Sequence, residues 1–316
     1  GDYPVCVLPR DKQSKETIEV GDWTKIELDN FVTAWISVGY ISPSTDYKFY
    51  SVVYNGLFFI DNTNPFSGKI ACHKFTSFRD QDGNSYYLPN SSVNCFYEDS
   101  ANGRLWMGAN NGVFFINVKD TMDPDITIVR PKVPREDGSG LADYLLSGVT
   151  VSDIKMDGSG HLWIATNSGL FEVSNNGTQV LNQFTMTNAP FPSDQIVSVC
   201  CNPISNSVYV GTTAGVFEYY SSTTPPQEDF SNVVAYPNPI RPDYTGSVTI
   251  TGLMNNTLVK IVNAGGETIA TLQSSGGTAI WDCNYPNGER VNTGVYYVMG
   301  GTDSKGKVLT KILVVK

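Results

Sequence analysis

Met156-Asp157-Gly158-Ser159-Gly160-His161-Leu162-Trp163-Ile164-Ala165-Thr166-Asn167-Ser168-Gly169-Leu170-Phe171-Glu172-Val173 is one copy of an internal repeat. It aligns with Glu98-Asp99-Ser100 and Asn102-Gly103-Arg104-Leu105-Trp106-Met107-Gly108-Ala109-Asn110-Asn111-Gly112-Val113-Phe114-Phe115-Ile116. A third copy is Asn206-Ser207-Val208-Tyr209-Val210-Gly211-Thr212-Thr213-Ala214-Gly215-Val216-Phe217-Glu218-Tyr219, and a degenerate one runs from Tyr47 to Ile60. The glycines at 56, 112, 169 and 215 are spaced by 56, 57 and 46 residues. That is the size of a four-stranded propeller blade. Each copy is explained by local physics. An Asp-Gly or Asn-Gly cluster makes a hairpin turn. Leu-Trp-Ile or Val-Tyr-Val is a strand packed on a neighbouring blade, so the Trp and Tyr read as packing rather than ligand platforms. A small residue (Gly108, Ala165, Gly211) suits a crowded axis, and the next glycine permits positive φ in the following turn.

An outer strand is expected after each third strand, at 69–75, 125–129 and 179–184. The last copy lacks one. The strand 23–28 precedes the first copy and is expected to close the last blade, which would remove an exposed sheet edge. Four copies are few for a ring. Further blades upstream are therefore expected, with Gly1 a tag remnant of a trimmed chain; a self-contained ring of four is the alternative.

Composition supports short strands and tight turns: 29 Gly, 17 Pro and many aromatics (17 Tyr, 15 Phe, 5 Trp) in 316 residues. A net charge of -10 with no basic stripe argues against nucleic acid as a partner. No apolar run reaches the ~18 residues of a membrane helix, so no membrane span is expected. The six cysteines (6, 72, 95, 200, 201 and 283) have no zinc-ligand spacing. Cys95 and Cys200 read as buried thiols, and Cys200 and Cys201 should point to opposite faces of a strand. His73 and His161 have no partner pattern, and His161 falls in a turn before a strand.

The repeats resemble the two-component-regulator propeller family, whose units carry Asp-x-x-Gly-x-Leu-Trp-Ile-Gly-Thr-x-x-Gly-Leu. The likeness covers roughly residues 23 to 220. It implies a periplasmic or surface propeller that senses or binds glycans, often ahead of a histidine kinase, although this chain has no kinase segment.

The expected division is a propeller over 1–220, a polar linker over 221–230 and a second domain over 231–316. In the last, strands are expected at 247–251, 258–263, 268–272, 278–281, 294–300 and 308–315, after a strand leading into Pro237-Asn238-Pro239. Six or seven strands in ~85 residues describe a small sandwich. Its expected core is Val248, Ile250, Val259, Ile261, Ile269, Trp281, Val295, Tyr297 and Ile312. Tyr236, Pro237, Asn238, Pro239, the turn around Gly265, the run from Gly294 through Tyr296, and the closing Lys311 to Lys316 resemble the C-terminal sorting domain of type IX secretion cargo. That domain is similar to the immunoglobulin-like module of flagellar hook-capping proteins. The resemblance implies an address for passage across the outer membrane, usually removed by a surface sortase that links cargo to anionic lipopolysaccharide. A plain structural sandwich is the alternative.

No catalytic residue is assigned: there is no Gly-x-Ser-x-Gly, no His-Glu-x-x-His and no phosphate loop. Asp153, Asp157 and Asp194 are explained by turn chemistry. No metal and no cofactor are expected. The expectation is an exported all-β protein, a β-propeller with four recognisable blades followed by a small Ig-like β-sandwich, placed between the periplasm and the outer-membrane surface. Three functions fit. The first is a non-enzymatic secretion-machinery component whose partners are a surface sortase and lipopolysaccharide or another glycan. The second is a glycan-binding surface protein with the sorting domain as an address, and the third a polysaccharide-degrading propeller enzyme. Contacts are expected on loops at one propeller face, with the long insert from Pro131 to Leu146 as a candidate.

Overall fold

The computed structural model describes residues 5–28, 36–44, 47–52, 56–61, 69–70, 72–87, 93–120, 123, 125–135, 137–202, 207–220, 224–301 and 306–315. Residues 53–55 and 206 of the repeat copies, 221–223 of the linker, and Lys316 lie outside these. The chain is all-β, and among the described residues only three short 3-10 turns accompany the strands.

Four sheets follow the repeat. The first is Ile36–Ile41, Tyr47–Val52, Gly56–Asp61 and Cys72–Phe75 in that order. The second is Val93–Asp99, Arg104–Ala109 and Gly112–Asn117; Val129 adds a single antiparallel bridge at Phe115. The third is Val151–Met156, Leu162–Thr166, Gly169–Val173 and Val180–Phe184; the fourth is Ile196–Asn202, Ser207–Thr212 and Gly215–Tyr220. These are the blades of a β-propeller. The middle strands of the second and third blades are buried on both faces, as stacked blades require: Leu105, Trp106 and Met107 in the second, Leu162, Trp163 and Ile164 in the third. Trp106 packs on Phe115 at 4.8 Å between ring centres, and Trp163 stacks on Phe184 at 5.9 Å. The turn glycines take the expected positive φ, 92° at Gly112 and 110° at Gly169. A side chain at Gly108 would run into Val151 of the third blade and Cys95 of its own, which is why the position is small.

Polar bonds repeat at the seams between blades. The Ser42 hydroxyl meets the buried Glu98 carboxylate between first and second. Asn94 Nδ2 donates to the Val151 carbonyl at 2.9 Å between second and third. The Asp153 carboxylate accepts from the Val199 amide at 3.1 Å between third and fourth. Asp153 is thus more than a turn residue.

Three expectations change here. The strand Thr24–Leu28 does not close the last blade: it pairs with Val5–Val7 and, in parallel, with Lys69–Ile70. Both partners are nearer in sequence, so the loops closed are shorter and cost less entropy. Thr127–Ile128 runs parallel to Ser77–Asp80 instead of completing the second blade, because the hairpin Ser77–Asp80 with Ser85–Tyr87 offers it an edge. Cys200 is exposed, unlike Cys95, because the blade carrying it is far less covered than the second.

The C-terminal region is a sandwich of two sheets. One orders Val234–Tyr236, Val248–Thr251 and Ala279–Trp281; the other orders Thr268–Gln273, Leu258–Val262, Gly294–Gly300 and Lys307–Val314. Its core holds Val248, Ile250, Val259, Ile261, Ile269, Trp281 and Ile312 as expected. In Gly294–Gly300 the phase is reversed: Tyr296 and Val298 are buried, whereas Val295 is exposed and Tyr297 half-buried. The partners decide this, since Val298 lies opposite Ile261 and Tyr296 opposite Ile312, and directly paired residues share a face.

By compactness the chain forms two units. One comprises Gly1–Lys155, Trp163–Val199 and Gly211–Gly215; the other comprises Met156–Leu162, Cys200–Val210 and Val216–Lys316. No helix among the described residues is long and apolar enough to cross a membrane.

Candidate functional site

The residues whose pattern resembles a sorting motif are far apart in sequence, and folding collects most of them around the final strand. Pro237 and Pro239 have no N–H to give to a sheet ladder. Asn238 between them supplies the pairing with its side chain. Its Nδ2 donates to the Lys311 carbonyl at 2.8 Å, and its Oδ1 accepts from the Leu313 amide at 3.0 Å. Ile240 continues the line, donating to the Leu313 carbonyl and accepting from the Val315 amide. The outer edge of Lys307–Val314 is therefore sealed from Lys311 to Val315. On the inner side Gly294 lies opposite Val314, Tyr296 opposite Ile312, and Tyr297 opposite Lys311, whose ammonium sits 5.7 Å from the Tyr297 ring.

Tyr296 is the buried member of the group. Its hydroxyl donates to the Asn292 carbonyl at 2.9 Å, its ring packs on Trp281, and burial together with the neighbouring Tyr285 hydroxyl pushes its ionisation up. Tyr236 ends its strand exposed to solvent. Gly265 is not brought to this group; it stands in the turn before Thr268–Gln273, its amide bonded to Asn263 Oδ1. Lys316 lies outside the described residues. The arrangement has no nucleophile beside a base. What it can do is hold the last strand in the sandwich.

The insert from Pro131 to Leu146 is a hairpin, Lys132–Pro134 with Ala142–Tyr144. Tyr144 donates its hydroxyl to Asp82 at 2.7 Å, and Arg130 lies 3.8 Å over the Tyr144 ring. Gln81 exchanges two hydrogen bonds with the Arg130 backbone. Lys132 pairs with Asp82 and Arg135 with Asp143, and these contacts hold the Asp82 and Asp143 carboxyls below the usual carboxylate range. Arg130 likewise faces Asp80 at 4.0 Å. With each cation matched by a carboxylate, the hairpin presents no excess of positive charge to an anionic ligand. Nothing in the sequence of the insert marks this strapping, because Asp80, Asp82 and Gln81 lie about fifty residues away.

His161 is buried and has a structural setting: its Nδ1 is 3.9 Å from the Asp157 carboxylate, and its Nε2 meets the Ser275 hydroxyl. Asp157 holds the turn itself, accepting from the amides of Ser159 and His161.

Comparison with known proteins agrees with the repeat. The family described as two component regulator propeller matches residues 87–111, the segment that contains Val93–Asp99 and Arg104–Ala109. Among curated proteins no sequence matches. Among solved structures, PorZ of Porphyromonas gingivalis, an essential surface component of its type IX secretion system, superposes with a TM-score of 0.70 at 25% identity. The likeness covers 93% of this chain but 40% of PorZ, so the chain spans less than half the length of that relative. The extracellular domain assigned to a one-component system of B. thetaiotaomicron is 14% identical, with a TM-score of 0.34 over 93% of this chain and 46% of its own. One assigned to a hybrid two-component system of that organism is 17% identical, at 0.35 over 90% and 44%.

Proposed function

We propose that this chain is a non-enzymatic, PorZ-like component of type IX secretion and attachment at the cell surface. The single observation that supports this reading is the likeness to PorZ across nearly the whole chain, propeller blades and sandwich together. In this reading the partners are a surface sortase and anionic lipopolysaccharide or another glycan. The C-terminal sandwich stays attached, its last strand clamped by Asn238 and Ile240.

The test is deletion of the native gene, followed by the fate of other proteins with sorting domains. Their accumulation in the periplasm, uncleaved and without lipopolysaccharide, is expected. Unchanged export, cleavage and modification would overturn the machinery role. The chain would then be an exported surface protein whose propeller binds a glycan and whose sandwich is only an address.

A further inference from the structure

The four-stranded sheet of the sandwich has two edges, and they differ. The edge at Lys307–Val314 is sealed from Lys311 onward by Asn238 and Ile240. The edge at Thr268–Gln273 pairs on one side only, with Leu258–Val262. Backbone bonds close this pair at both ends: the Asn263 amide donates to the Glu267 carbonyl and the Ser274 amide to the Thr257 carbonyl. Antiparallel ladders alternate between bonded and non-bonded pairs. Counting inward from Thr257 and Ser274, the bonded pairs fall at Val259–Leu272 and Ile261–Ala270. The backbone N–H and C=O of Thr271 and Gln273 then point out of the sheet, and nothing among the described residues takes them up.

Natural sheet edges are usually blunted by charge, proline or a covering segment. Thr268-Ile269-Ala270-Thr271-Leu272-Gln273 carries neither charge nor proline. The first four of these residues line a cleft of about 530 Å³ together with Asp282, Asn284, Tyr285 and Pro286. A strand added along Thr271 would lay alternate side chains into this cleft.

The charge of the cleft selects the occupant. Asp282 is exposed, and among the described residues its carboxylate accepts bonds only from Asn284. Glu267 is close enough to act electrostatically on the Tyr285 phenol. The nearby Arg290 gives its guanidinium bonds to the carbonyls of Tyr244, Gly246 and Asp282, and among the described residues it forms no salt bridge with either carboxylate. We infer that this edge takes an extended peptide as an added strand, with a Lys or Arg of that peptide set against Asp282. This is a site for a basic peptide segment on the sandwich, and it stands or falls independently of the secretion role.

The probe is a displayed library of random eight-residue peptides, selected on the full 316-residue chain. Enriched peptides should carry at least one Lys or Arg, and should slow amide exchange at Thr271 and Gln273. Asp282→Arg should weaken them at least tenfold. Thr271→Pro, which removes an outward N–H while sparing the ladder to Leu258–Val262, should do the same. Thermal unfolding like that of the parent chain would show that both variants fold; if Thr271→Pro does not, Asp282→Arg and the exchange data decide alone. No enrichment, acidic or neutral winners, or equal affinity for Asp282→Arg would each overturn the site. A dimer of this chain that protects Thr271 from exchange without peptide would assign the edge to a second copy and also overturn it.

Discussion

Two residues show how a local environment sets a side chain's work. At Asn238 a side-chain amide stands in for main chain that the flanking prolines cannot provide. Removing it in Asn238→Ala takes away two hydrogen bonds to the last strand, Lys311 carbonyl and Leu313 amide. A loss of about 1–2 kcal/mol in stability is expected, together with faster exchange at the Leu313 amide. Unchanged exchange there would show that Ile240 alone seals the edge. At Cys95, burial pushes the thiol ionisation up to about 12 from an ordinary value near 9. The folded state therefore keeps the proton to higher pH than the unfolded chain does. Stability from this group is complete below pH 9 and falls as pH rises from about 9 to about 12, with a slope approaching ~1.4 kcal/mol per pH unit. Denaturant titrations of the parent and Cys95→Ala should diverge in that window. Thiol labelling at pH 8 should modify the exposed Cys6 and Cys200 and spare Cys95 until the chain unfolds.

At the scale of the element, the strand Gly294–Gly300 is the sharpest test. Val295-Tyr296-Tyr297-Val298 is apolar at every position, so alternation cannot say which pair faces inward. The pairing with Ile261 and Ile312 does. Tyr296→Ala should therefore cost about 3–5 kcal/mol, as for a buried aromatic. Tyr297→Ala should cost less than about 1 kcal/mol, typical of a substitution outside the core. Chemical denaturation of the two variants checks this, and equal costs would mean that the phase is wrong. By contrast, the strands at 162–166 and 169–173 were legible from the sequence alone. A turn glycine, a hairpin cluster and a run of five apolar or small residues recur there at matching offsets. The insert hairpin was legible only as extra length, because the partners that strap it, Asp80 and Asp82, belong to another hairpin.

For the whole molecule, equivalent repeat positions differ most in the last blade. Val113 and Leu170 are 3% and 1% exposed, whereas Val216 is 73% exposed. Trp106 and Trp163 are fully buried, and their counterpart Tyr209 is 37% exposed. A blade buries both faces only with a neighbour on each side. Leu170→Ala should accordingly cost about 2–5 kcal/mol, while Val216→Ala should stay within about 0.5 kcal/mol. Urea unfolding of the isolated chain measures both. A comparable cost at both positions would show that residue 216 is covered in solution.

The sequence by itself determined the blades, their turns, the sandwich strands and most of the sandwich core. These rest on period-2 alternation and on turn chemistry, which act within a few residues. Only the tertiary structure decided where Thr24–Leu28 pairs, which way Gly294–Gly300 faces, that Asn238 clamps the last strand, and which sheet edge stays open. Each of these depends on which distant segment lies alongside, and no local pattern carries that information.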